Sequence, residues 1–228
     1  MNTNVNLAAP VGVLGFLGAC FVLVVLGLIA MYGLAFRRFG RARWSLAALV
    51  AVLAAYFALM LAFSLASSEK ILARGEEKHF CEIDCHLAYS ITDVRRTRTL
   101  GSGPNAATAA GEFLVVTVRT RFDETTISPT RGDSLLYPNP RSVTINDEQG
   151  RAFSPSGEGL RALASTDGVG MPLETPLRPG ESYTTELVFD LPADARSPIL
   201  LINESDIPTR FIIGHENSFL HKKTEFRL

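Results

Sequence analysis

The sequence predicts a two-helix transmembrane hairpin followed by an all-β, immunoglobulin-like sandwich, and three observations carry that prediction. Two uncharged apolar runs, Val11 to Phe36 and Trp44 to Ala66, are separated by one basic stretch, Arg37 to Arg43. Beyond Ser67 the chain turns polar and breaks into short segments that alternate apolar and polar residues between Gly, Pro and Asn. Alternation with period two marks half-buried strands, and a series of short ones suits a sandwich.

Residues 1–10 form an N-terminal tail, 11–36 the first span, 37–43 the loop and 44–66 the second span. A hydrocarbon core about 30 Å thick needs about 20 apolar residues, so both runs are long enough to cross it. Arg37, Arg38, Arg41 and Arg43 crowd the loop, and short basic loops resist translocation. The loop is therefore expected in the cytoplasm and both termini outside, as in a bacterial inner membrane. The first run has no positive leader and exceeds a signal-peptide core, which predicts a retained span. Tyr32, Phe36 and Trp44 fit the cytoplasmic aromatic belt.

Small residues recur in both spans: Gly12, Gly15, Gly18, Ala19 and Gly27 in the first, then Ala54, Ala58, Ala62 and Ala66 at four-residue spacing. They let helix backbones approach closely, either within the hairpin or against other subunits of a membrane assembly. Neither span contains Asp, Glu, Lys, Arg or His, so a proton relay or ion path through this chain is not expected. Cys20 reads as a small apolar residue within the first span.

All 23 acidic residues lie beyond Ser68 together with 18 of the 22 basic ones, leaving that portion at a net charge of −5. Such a balance gives no footprint for nucleic acid. The expected partners are the lipid bilayer and other membrane subunits.

Residues 67–78 read as a mixed-charge connector, and the densest chemistry follows: His79-Phe80-Cys81-Glu82-Ile83-Asp84-Cys85-His86. In an oxidising compartment a Cys81–Cys85 disulfide is the first reading. Positions four apart in a regular strand lie about 13 Å from one another, beyond the reach of a disulfide, so the chain must turn between them. Three ligand readings compete. Cys-x-x-x-Cys-His is one residue longer than the usual c-type haem attachment, with His86 as axial ligand. A copper or zinc ion held by His79, Cys81, Cys85 and His86 is the second. The third is a resemblance: two spans followed by an outer β domain resembles the second subunit of haem-copper oxidases. That family's dinuclear copper segment, however, lies near the domain's end, and Tyr89 stands here where it has histidine.

The outer domain, 79–228, is taken in order. Leu87 to Thr92 is a strand, and Gly101 to Gly111 an exposed loop. In Glu112 to Phe122, Leu114, Val116, Val118, Thr120 and Phe122 alternate with Phe113, Val115, Thr117, Arg119 and Arg121. Ser128 to Arg141 is a long loop with three prolines, and long loops often bind partners. Arg131, Asp133 and Tyr137 are its candidate contacts; the Arg-Gly-Asp triplet is too short to mean more. A hairpin over Ser142 to Phe153 turns at Asp147 to Gly150, and a short helix is expected around Leu160 to Ala164. Ile199 to Ile202 and Arg210 to Ile213 are further expected strands.

Pro179-Gly180-Glu181-Ser182 opens a strand that ends Val188-Phe189-Asp190-Leu191-Pro192. This turn and strand resemble the telokin-like, immunoglobulin-type domains of bacterial membrane-anchored surface proteins. The resemblance implies an extracytoplasmic β-sandwich with no defined activity.

No Gly-x-Ser-x-Gly elbow, phosphate loop, dinucleotide fingerprint or His-Glu-x-x-His pair is present. An enzyme is not expected. The sequence points to an accessory subunit that anchors an immunoglobulin-like domain and docks to a larger membrane complex, with Ala54, Ala58 and Ala62 as candidate helix contacts. The alternative is an electron-transfer module carrying haem c or copper at Cys81, Cys85 and His86.

Overall fold

The computed structural model describes residues 8–80, 85–125, 132–166 and 168–228. They divide into two compact units, Glu69–Asp206 with Lys223–Leu228, and the two helices through Ser68 with Ile207–Lys222.

In the helical unit, α1 (Ala8–Ala35) and α2 (Phe39–Ala66) run antiparallel across a much shorter connection than 37–43. Arg37 takes a left-handed φ of 54°, and the Arg38 amide bonds back to the Gly33 carbonyl at 2.7 Å. This is the usual way a helix terminates its carbonyls. Arg41 and Arg43 consequently lie in the first turns of α2, since nothing from Phe39 onward stops helix growth. The buried and half-buried positions recur at three- and four-residue spacing: Phe16, Ala19, Leu23, Leu26, Ala30 and Gly33 on α1, and Ala42, Ser45, Leu49, Val52, Tyr56, Met60 and Ser64 on α2. At Gly33 even a Cβ would come within 3.0–3.3 Å of Ala42, so the two backbones are close there. Ala54, Ala58 and Ala62 lie elsewhere, on the exposed surface of α2.

Both helices are long and apolar enough to cross a membrane, and only 6% of their most apolar windows is buried within the protein. Trp44, Val11, Leu14, Phe21 and Leu65 are among the large apolar side chains left exposed. A helix that is apolar all round is accommodated only in a core or in lipid. Ile207–Phe211 forms a 3-10 turn where a strand over Arg210 to Ile213 was expected. A short apolar run has no period of its own to distinguish the two.

The other unit is a β-sandwich. One sheet orders β2 (Lys78–Phe80), β3 (Leu87–Leu100), β4 (Ala107–Phe122) and β7 (Ser182–Leu191), all antiparallel. The other orders β1 (Lys70–Leu72), β9 (Thr224–Arg227), β8 (Ile199–Glu204), β5 (Arg141–Asn146) and β6 (Ala152–Phe153). Residues 67–78 are thus no mere connector: Lys70–Leu72 pairs in parallel with Thr224–Phe226, and a strand hidden in the polar C-terminal tail completes the sheet.

Alternation along β4 plays out as the sequence dictates, with one addition. Leu114, Val116, Val118 and Phe122 enter the main core with Tyr89, Ile91 and Phe189 from the same sheet and Ile145, Leu200, Ile202 and Phe226 from the other. On the opposite face Phe113 and Val115 are also buried, because α3 (Gly157–Ala164) lays Ala162 and Leu163 over them. The Ser156 hydroxyl accepts from the Gly159 amide at 3.1 Å and caps α3. Gly159 itself cannot be larger, since a Cβ would fall 2.6 Å from Val188 Cγ1.

Two cations staple the sheets together from inside. The Lys78 ammonium, on β2, donates to the carbonyls of Ile202 at 2.7 Å and Thr224 at 2.8 Å in the facing sheet. Arg141, on β5, places its guanidinium 4.2 Å from the Phe80 ring centre and pairs with Glu204 at 3.2 Å. Neither side chain of that ion pair is appreciably exposed.

Leu163 is wholly buried and is the main apolar link between α3 and the sheet. Leu163→Ala is expected to cost about 2–5 kcal/mol of stability, as large-to-small core substitutions do. A denaturant midpoint unchanged by the substitution would show that α3 does not contribute to the core.

Candidate functional site

The paired register Phe80↔Leu87 sets the residues on either side of the cysteine segment opposite each other. Cys81 lies outside the described residues. Cys85 is completely buried, and Cys20, in α1, is a free cysteine.

His79 and His86 flank this turn and meet on one residue that the sequence did not single out, Asp123. Antiparallel pairing of β3 with β4 sets Leu87 opposite Phe122, which brings the residue after β4 back to the start of β3. His79 Nε2 donates to Asp123 Oδ2 at 2.9 Å. His86 Nδ1 donates to the Asp123 carbonyl at 2.5 Å, and its ring stacks on Phe122 with centres 4.9 Å apart. The Asp123 Oδ1 atom accepts from the amide and hydroxyl of Thr125 at 3.0 and 2.8 Å. On the neighbouring strand position Arg121 forms a two-pronged bond with Glu77, both arms at 2.7 Å, and reaches Asp123 at 3.2 Å.

Electrostatics follow from this packing. Burial works to raise the Asp123 pKa, yet the hydrogen bonds from Thr125 and His79 and the charge of Arg121 outweigh it and hold the carboxyl well below the usual range. Glu77 is held down chiefly by its hydrogen bonds to Arg121. The donor atoms of Glu77, His79 and Asp123 lie within 4.8 Å of one another, close enough in principle to ligate a cation. The guanidinium of Arg121 already bridges these two carboxylates, so a metal ion would have to displace a fixed positive charge. Among the described residues, this three-group set is the one at ligand spacing, and it differs from the expected His79, Cys81, Cys85 and His86.

The proline-rich loop divides in two. Arg131 lies outside the described residues. Asp133 is exposed and Tyr137 is 69% exposed, while the buried Leu136 between them pins the loop through reciprocal backbone bonds with Leu177 at 2.9 and 3.1 Å. Tyr137 is thereby presented on a fixed backbone rather than a slack one.

A further feature had no sequence signal. An apolar cleft of about 590 Å³ opens beside β5, β7 and α3, lined by Val143, Leu160, Val169, Met171 and Leu187, with Glu186 also at its wall. The Oε2 atom of Glu186 is buried and has no hydrogen-bond partner. The volume falls in the range of small-molecule pockets.

No protein-family model matches the chain, and no curated protein matches it in sequence. Among solved structures, the secreted protein MPT63 of Mycobacterium tuberculosis is 11% identical, with a TM-score of 0.44 over 72% of this chain and 100% of that one. The yjhA protein of Bacillus subtilis is 16% identical, with a TM-score of 0.42 over 71% and 99% of the two chains. An uncharacterized β-sandwich protein of Clostridium difficile is 11% identical, with a TM-score of 0.41 over 71% and 95%.

Because Asp123 titrates lower in the folded protein than in the unfolded chain, its contribution is complete above about pH 4 and is lost as the pH falls below that value. Asp123→Asn is expected to lower stability at neutral pH by about 3 kcal/mol, the scale of a broken buried pair, and to flatten the acid limb of the stability profile. An acid limb as steep as that of the wild type would show that other carboxylates carry it.

Proposed function

We propose that this chain is a non-catalytic accessory subunit whose helical hairpin lies in the bacterial inner membrane. It holds an immunoglobulin-like sandwich of the telokin type on the extracytoplasmic face and docks to a larger membrane complex. One observation carries the reading: the hairpin closes through one face of α2, while Ala54, Ala58 and Ala62 remain exposed on another. Small residues at four-residue spacing permit close helix contact, and among the described residues nothing covers these three. Tyr137, exposed on a pinned loop, offers an aromatic contact outside the membrane.

The turn between β2 and β3 belongs to this reading as structure. A Cys81–Cys85 bridge, with His79 and His86 both tied to Asp123, would fix the turn that starts the main sheet. Support comes from Cys85, which is completely buried at the start of the main sheet. Electron transfer is the weaker reading, since the guanidinium of Arg121 already occupies the space between Glu77 and Asp123 beside His79.

Isolation of the full chain in mild detergent is expected to recover a partner membrane protein, and Ala58→Leu to reduce that recovery without unfolding the hairpin. Recovery of a partner-free monomer from the native membrane would overturn the proposal. A periplasmic reporter fused after Leu228 is expected to be active, and activity of a cytoplasmic reporter there would reverse the topology. Alkylation of the unfolded, unreduced protein is expected to label Cys20 alone, with Cys81 and Cys85 labelled only after reduction.

A further inference from the structure

Ile207–Lys222 is separated in sequence from the hairpin by the whole sandwich, yet it folds as part of the helical unit. Its two ends mark different levels along α2. The Lys222 amide donates to the Ser67 hydroxyl at 2.8 Å, at the end of the helix. The Phe211 carbonyl accepts from the Tyr56 hydroxyl at 2.6 Å. Eleven residues of helix separate Ser67 from Tyr56, so the segment descends about 16 Å along α2 before returning. On the α1 side a Cβ at Gly12 would meet the Ile213 carbonyl at 2.1 Å, so the contact depends on glycine. In the proposed topology the C-terminal end of α2 is its outer end, so this descent enters the outer leaflet.

The segment has the chemistry such a position demands. Backbone groups at membrane depth must be satisfied within protein. Here the amides of Ile212, His215, Ser218 and His221 bond in succession to the carbonyls of Thr209, Ile212, His215 and Ser218. The polar side chains turn inward: Asn217 Nδ2 donates to Thr209 Oγ1 at 2.6 Å, the Asn217 amide to His215 Nδ1 at 3.0 Å, and the Ser218 hydroxyl to the Ile212 carbonyl. All four of these residues are buried. Outside stand Ile207, Phe219 and Leu220, the last at 69% exposure with a left-handed φ of 61°. Lys222, at the level of Ser67, is exposed as well, and a long basic side chain there reaches headgroup level.

We propose that Ile207–Lys222 is a third membrane-embedded element, a re-entrant coil whose Phe219 and Leu220 contact acyl chains of the outer leaflet while Lys222 meets lipid phosphates. It rests on the membrane reading of the hairpin and extends it: the sandwich is held to the bilayer at two separate points of its sequence.

Depth-dependent quenching in vesicles of phosphatidylcholine brominated at defined acyl positions tests it with the full-length protein. Trp44 is the sole tryptophan and reports the hairpin. A Trp44→Phe, Phe219→Trp variant reports the coil, and Trp44→Phe, Leu220→Trp repeats it should the first fold poorly. The expected result is loss of emission in all three, with the reporters at 219 and 220 quenched most by shallow bromines. Quenching of Trp44 with none at 219 or 220 overturns the coil's insertion, leaves the hairpin standing and favours a protein partner on this face. Absence of quenching at Trp44 overturns the hairpin and the coil together.

Discussion

An apolar exterior around two helices of 28 residues each must be kept from water, and the rest of the molecule is arranged under that constraint. The exposed patch far exceeds what a soluble monomer tolerates. Shielding it requires lipid, partner helices or both, and the positions of the charges agree. The chain places no acid before Glu69 and confines its only early cations to Arg37, Arg38, Arg41 and Arg43. Those four sit where the hairpin bends and leave the shaft of each helix without an ionisable group.

Much of this was legible because the signals are long. Uncharged runs of this length admit few structures, and alternation along β4 sorts Leu114, Val116 and Val118 from Thr117 and Arg119 without reference to any other part of the chain. What escaped was set at a distance. Asp123 stands 44 residues from His79 and 37 from His86, and only the β3–β4 register brings the three together. The closing strand Thr224–Arg227 hides in a charged tail because its partner, Lys70–Leu72, is equally short and equally mixed. The seam of the hairpin was legible as a class of residue but not as a face. Both helices carry small residues all round, and the choice of Gly33 against Ala42 depends on where the turn ends α1.

The segment 207–222 shows how a local reading of a short apolar run fails. Phe211-Ile212-Ile213 looks like a strand entering a core, and in the structure Ile212 is indeed buried, but in a 3-10 turn and coil. Thr209, His215, Asn217 and Ser218 are interior and hydrogen-bonded, while Phe219 and Leu220 face outward. The proposed insertion would demand such an arrangement, because in an apolar solvent the polar groups must find partners inside the protein.

The buried charges of the sandwich obey the opposite condition. Removing Lys78, Arg141 and Glu204 from water costs several kcal/mol per ion, and apolar residues of the same size would often be as stable. Their geometry nonetheless fixes something an apolar core leaves free. Lys78 can bond the carbonyls of Ile202 and Thr224 only if β2 lies over β8 and β9 at one register. Arg141 can stack on Phe80 while pairing with Glu204 only if β5 takes the matching one. A slip of one residue in either sheet would reverse every side chain of that strand and strand these charges without partners. Two sheets assembled from strands as short as two residues have few backbone bonds to enforce their alignment. The interior cations, Lys78 on β2 and Arg141 on β5, supply the discrimination those strands lack.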